Sequence, residues 1–306
     1  TNSTIINNIG EAIENNGLMN INNSSITSIN NNAINNNKDL NVYGNSTTVT
    51  SAAIGINNSS TATLNLGKPA IEDSEVSKTY PLITGETYGI SNNGIFNFYD
   101  GYLKGKTHAT YGPITTMEAG YSFNNPSEAV DGYNVAYLDQ IKVIKNVQID
   151  EEYFTIADAV ADASSGDTLQ MISNDNVLNT ASTIVIDKQL TLDLNGYTIN
   201  QGNNILFRNE STFTINDSNT SGNNHGKIEV ASGTIMLDNY GDLIINGGTY
   251  NTSSGRMIIK NEALTQEEIN NNVQEHSVTL QNNVNMIATD NTILIDNYGK
   301  MNIYNG

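Results

Sequence analysis

Acid–base or metal-assisted chemistry in this 306-residue chain would have to come from very few side chains. There is no Cys, which removes thiol catalysis, disulfides and Cys-ligated metal sites together. Three histidines, His108, His225 and His276, stand far apart without metal-ligand spacing and read as exposed turn residues. Arg occurs only at positions 208 and 256. A lyase acting on acidic polysaccharide needs Ca²⁺ held by clustered carboxylates and an Arg or Lys base, and Arg208 and Arg256 are its only Arg candidates. A glycoside hydrolase needs paired carboxylates. No Asp-Asp pair occurs, and Asp238, Asp242 and Asp296 fall at turns, where Asp is expected for conformational reasons. Asp238 and Asp296 share a position in a recurring motif, but the copy between them carries Lys260 there. The expectation is a chain with no catalytic residue, no cofactor and no metal.

Aromatic residues are the other source of chemistry, through stacking on sugar rings. The chain has 15 Tyr, 6 Phe and no Trp. Tyr99, Tyr102, Tyr240, Tyr250 and Tyr298 lie at or beside turns and are the candidate glycan contacts. A structural alternative exists for Tyr240 and Tyr298, which hold matching motif positions and would stack as a ladder.

What must position these residues is a nine-residue pattern: apolar, any, Asn, any, small, any, apolar, any, apolar. It runs from Ile13 to Ile21, Phe207 to Ile215, Leu237 to Ile245 and Ile295 to Ile303. Further copies begin at Ile34, with Lys38 in the small position, and at Ile90. The copy at Ile56 carries two extra residues, and the one at Ile259 loses its second half. Starts are separated by 21 residues from Ile13 to Ile34, 22 from Ile34 to Ile56 and 30 from Phe207 to Leu237, so loops of variable length leave a fixed scaffold. The closing apolar pair of each copy is two residues apart, as in Met19/Ile21 or Leu243/Ile245, which is strand periodicity. Short strands, Asn and Gly turns and a repeat of about two dozen residues predict an all-β chain, a right-handed parallel β-helix or β-solenoid. The recurring Asn15, Asn36, Asn92, Asn209, Asn239 and Asn297 are expected at left-handed or bridge-region turns, their amides stacked from rung to rung as a ladder.

Net charge is −19 and the isoelectric point near 4.2, while charged residues make up only 15% of the chain. Phosphate-backbone binding needs clustered Lys and Arg, so nucleic acid is excluded as a partner. An anionic membrane would repel this surface, and no run of residues approaches a membrane span, so no membrane insertion is expected in this segment. With 37% hydrophobic residues the chain can bury a core, a long thin one. The interleaved Ile and Leu keep strand register through the Asn runs of the first 60 residues, which argues against disorder there.

Two solenoid segments in tandem are expected, residues 1–111 and 150–306, joined by a closing β segment over 112–149 that holds Pro113, Pro126 and the run Tyr133 to Leu138. After Asp150-Glu151-Glu152, Ile156, Ala159, Val160 and Ala163 form one apolar stripe, predicting a short capping helix at about 154–164, ended by Ser164-Ser165-Gly166. A solenoid exposes its core at a terminal rung, and such a helix is the usual cover.

The string Tyr153 to Val160, then Ser165-Gly166-Asp167-Thr168-Leu169, then Leu190 to Ile199, resembles the opening of pectin-lyase-like right-handed β-helix domains of large repetitive surface proteins from Gram-positive, gut-type bacteria. The Asn-Gly-Gly-Thr-Tyr run at 246–250 is similar to the rung ends of that group. The resemblance covers about half the chain and is specific for fold rather than function, since one fold hosts lyases, hydrolases, adhesins and phage spikes. It implies an extracellular, bacterial cell-surface location. The function expected is a non-enzymatic adhesin, stalk or fibre contacting a glycan or a host or cell-surface protein. A polysaccharide-active lyase or glycoside hydrolase and a trimeric phage tail spike are the alternatives. Both ends fall within repeat-like sequence, so a piece of a longer rod is expected, with targeting and anchoring signals elsewhere and end-to-end stacking into a filament as a further outcome.

Overall fold

The structure is a computed structural model that describes residues 2–69, 78–175, 183–201, 205–219, 225–230, 235–252, 257–281, 283–288 and 293–304. It is all-β apart from two short helices and divides into two compact units, residues 1–140 and 141–306.

In the first unit each rung gives one strand in turn to each of three parallel sheets. One sheet stacks Thr4–Asn7, Ser25–Ser28, Thr48–Ser51, Leu82–Gly85 and Tyr102–Gly105. A second stacks Ile13–Asn15, Ile34–Asn36, Ile54–Asn58, Tyr88–Asn92 and His108–Tyr111. The third stacks Leu18–Asn22, Asp39–Tyr43, Thr63–Leu66, Ile95–Phe98 and Thr116–Met117. Parallel in-register stacking places like positions above one another, so alternation along each short strand becomes apolar columns in the interior. Ile26, Val49, Ile83 and Leu103 form one, and Val42, Leu66 and Phe98 another, all buried. Beyond Tyr102–Gly105 the first sheet continues antiparallel: Asn134–Gln140 lies on Tyr102–Gly105, and Tyr121–Asn124 lies on Asn134–Gln140.

The second unit repeats the scheme. Its largest sheet opens antiparallel with Glu151–Tyr153, Ile144–Asn146 and Thr168–Met171, then runs parallel through Leu190–Asp193, Thr212–Asn216, Asp242–Asn246, Ser277–Gln281 and Lys300–Ile303. Residues 112–140 thus pair within the first unit and 141–149 within the second. Helix α1 (Ile156–Asp162) buries Ile156, Ala159 and Val160 against the core that includes Leu169 and Ile186, at the end where the sheets begin. Its N-cap is Thr155, whose Oγ1 accepts the Asp158 N–H at 3.0 Å. A second helix, α2 (Gln266–Asn270), was not expected. It starts on a capping box in which Thr265 and Glu268 each accept from the other's backbone N–H.

The nine-residue motif is a corner. Its first apolar residue and Asn end one strand, its small residue turns the chain, and its last apolar pair lies on the strand of the next sheet, as in Ile13–Asn15 followed by Leu18–Asn22. The small position is small because rungs approach there: a Cβ on Gly94 would lie 2.3 Å from the Ser59 carbonyl oxygen.

Candidate functional site

At the corners the motif Asn is buried, except at the last rung, where Asn297 is exposed. Asn15 donates through Nδ2 to Asn36 Oδ1, Asn36 to Asn58 and Asn58 to Asn92, each at 2.7 Å. In the second unit Asn209 donates to Asn239 and Asn239 to Asn261 at 2.7 Å, and Asn261 to Asn297 at 2.6 Å. The second amide hydrogen goes to backbone: Asn58 reaches the Ile95 carbonyl at 3.0 Å and Asn239 the Ser277 carbonyl at 3.0 Å. Asn92 Oδ1 also accepts the Gly94 N–H at 3.1 Å, an Asx turn that fixes the corner. The ladder amides are therefore filled by the fold itself. Asn58 and Asn261, absent from the expected set, complete both ladders, and the triplets Ile56-Asn57-Asn58 and Ile259-Lys260-Asn261 carried the signal. None of the ladder residues takes the left-handed backbone, one of the two conformations expected of them; among described non-glycine residues positive φ falls elsewhere, as at Asn23 and Asn195. The reason is that the ladder Asn closes a strand, and its side chain, not its backbone, makes the turn.

The charged candidates also resolve into packing. Val185, Arg208, Asp238, Lys260 and Asp296 share one outward column. Arg208 donates to Asp238 Oδ2 from Nε at 3.3 Å and from Nη2 at 3.2 Å, while its guanidinium carbon lies 5.3 Å from the Tyr240 ring centre. Asp238 is 3% exposed; burial raises its carboxyl above the ordinary Asp value, and the Arg208 hydrogen bond opposes that. Lys260 pairs with Glu262. Asp242 accepts the Ser277 hydroxyl at 2.6 Å. Arg256 lies outside the described residues. Among the described residues no group of three or more His, Asp or Glu is placed to hold a metal ion.

Of the histidines, His108 is exposed and meets the Tyr88 ring edge-on at 6.1 Å, and His225 Nδ1 stands 3.6 Å from Asp217 Oδ2. His276 corrects the expectation of exposed turn histidines. It is 2% exposed, with Nδ1 2.9 Å from the Glu262 carbonyl oxygen and Nε2 3.3 Å from Glu268 Oε1 on α2.

The tyrosines divide. Tyr250 is fully buried and donates to the Gly247 carbonyl at 3.1 Å, so it is removed from the glycan-contact set; its ring belongs to the core of the second unit, with Ile228 and Leu243. Tyr102 stacks on Tyr137 at 5.7 Å, with Lys104 Nζ 5.9 Å from its ring centre. Tyr240 and Tyr298 do not neighbour each other, because the rung between them places Glu262 at that position. Tyr298 is 60% exposed, and Tyr240 is half-buried beside His276, ring centres 6.0 Å apart.

Tyr99 has a different setting. It lines a surface recess of about 410 Å³ on the outer face of the first unit's third sheet, with Asn20, Asn41, Tyr43, Asn65, Gly67, Lys68 and Pro69. Register explains the hollow. Tyr43, the position after Leu66 and the position after Phe98 are stacked, so Gly67 falls between Tyr43 and Tyr99 and leaves that level without a side chain. Gly67 has φ of +80°, and a Cβ there would lie 2.4 Å from Asp100 Cβ. Along the floor runs a second, outward amide ladder: Asn97 donates to Asn65 at 2.7 Å, Asn65 to Asn41 at 2.7 Å and Asn41 to Asn20 at 2.8 Å. Lys68 Nζ lies 4.8 Å from the Tyr43 ring centre.

No protein-family model, no curated protein and no solved structure matches the chain.

Proposed function

We propose that the chain is a non-enzymatic scaffold, a right-handed β-solenoid segment of an extracellular bacterial surface adhesin, stalk or fibre. The observation that carries this reading is the pair of buried amide ladders. Four stacked Asn in each unit satisfy one another and the corner backbone, so the one invariant polar feature of the repeat serves stacking. Right-handedness rests on the general chirality of connections between parallel strands. The non-enzymatic reading is supported by the Arg208–Asp238 pair, which ties the guanidinium to a carboxylate, and by the alternation of Arg208, Asp238, Lys260 and Asp296, which separates the carboxylates by cations. A surface location is supported by the resemblance of residues 153–199.

The test is incubation of the chain with neutral and acidic polysaccharides, with and without Ca²⁺, and mass spectrometry of the soluble products. No cleavage is expected. New reducing ends or unsaturated oligosaccharides would overturn the reading in favour of a polysaccharide-active enzyme.

A further inference from the structure

We infer that the recess between Tyr43 and Tyr99 is a binding site for uncharged glycans bearing acetamido groups, such as N-acetylhexosamine chains. This deepens the scaffold reading by giving the scaffold a ligand.

Three observations meet at this place. The first is a platform. Tyr43 and Tyr99 stand two rungs apart, about 10 Å at the usual strand spacing, with Gly67 between them, so a ring-sized ligand has room above the missing side chain. Lys68 lies over the Tyr43 ring, which leaves Tyr99 as the face for stacking on a sugar. The second is unspent hydrogen-bonding capacity. Each amide of the buried ladders also donates to backbone, whereas Asn41 and Asn65, which line the recess, each spend one N–H and one acceptor position on the ladder, leaving one N–H and one lone pair for a ligand. A row of primary amides at rung spacing offers donor and acceptor side by side, which is what a secondary amide on a sugar ring pairs with through its own C=O and N–H. The third is charge. Among the described residues that line this recess none is a carboxylate, and the one charged group is Lys68. Against these groups an uncharged ligand desolvates no ionised acid.

Calorimetric titration of the whole chain with tri-N-acetylchitotriose, its de-N-acetylated counterpart and cellotriose tests the proposal. Binding of the acetylated trimer is expected. The two trimers without acetamido groups should bind at least roughly tenfold more weakly, and Tyr99→Ala and Asn65→Ala should each weaken the acetylated trimer roughly tenfold. Tyr304→Ala, at an exposed tyrosine of the second unit, should leave binding unchanged. Circular dichroism and thermal melting confirm that each variant keeps its fold, and Tyr99→Phe, which keeps the ring, should retain binding if Tyr99→Ala is misfolded. Absence of binding at millimolar sugar, equal affinity for all three trimers, or unchanged binding in both recess variants would overturn the site and leave the scaffold reading standing. Cleavage of the bound trimer would overturn the scaffold reading and leave the site.

Discussion

At the scale of single residues, the buried amides set the largest expected effects. Asn58 accepts from Asn36 and donates to Asn92 and to the Ile95 carbonyl, all inside the corner. Asn58→Ala leaves one amide hydrogen and one carbonyl oxygen without partners, each costing about 1–3 kcal/mol. A loss of roughly 2–4 kcal/mol is predicted, read as a lowered urea midpoint; a loss below half a kcal/mol would show that the ladder is incidental. Asp167 gives a pH signature. Its Oδ2 accepts from Asn146 Nδ2 at 2.7 Å and from the Ser164 N–H at 2.9 Å, and these bonds hold its carboxyl below the ordinary Asp value. A carboxyl depressed on folding contributes stability above its unfolded value, and that contribution disappears as pH falls through the folded one. The stability gap between the native chain and Asp167→Asn, measured by urea titration, should therefore be widest near pH 7 and close below about pH 4. A gap independent of pH would contradict it. Motif spacing makes six ladder residues legible in the sequence. Asn58 and Asn261 sit in degenerate copies, where only the opening apolar-any-Asn triplet marks them. The burial of Tyr250 and His276 depends on what packs over a turn, which spacing does not encode.

Among the elements, the two helices differ in how they are held. The apolar stripe of α1 is the feature that made it legible, and it is also the reason the helix closes the core. Ala159→Asp puts a carboxylate against fully buried Ile186 and its neighbours, where an unpaired charge is costly. Faster amide hydrogen exchange is predicted in Ile144–Asn146 and Ile184–Ile186, strands that the helix packs against; unchanged protection there would show that α1 is not a cap. Helix α2 buries no side chain, so periodicity had nothing to detect, and its only sequence signal is Thr265 followed by Glu268. The outward amide column was written in Met19-Asn20-Ile21, Leu40-Asn41-Val42, Leu64-Asn65-Leu66 and Phe96-Asn97-Phe98 as plain strand alternation. Of the recess, Tyr99 alone was legible as a candidate contact. Tyr43 and Gly67 acquire meaning only when register stacks them, because the intervals between rungs vary.

In the whole molecule each rung is tied to the next by sheet hydrogen bonds, apolar columns and a ladder amide, the basis of the proposed scaffold. Such an array unfolds by nearest-neighbour units. Ladder partners are separated by 21, 22 and 34 residues in the first unit. Released one at a time, rungs of this size lengthen the chain by roughly 70–120 Å at the reach of an extended backbone. Single-molecule pulling on the chain from its two ends measures this directly. The account predicts a series of discrete rupture events with length increments of one or a few rungs, each requiring sustained force, and earlier rupture when Asn58 is replaced by Ala. Smooth extension at low force without discrete steps would contradict it.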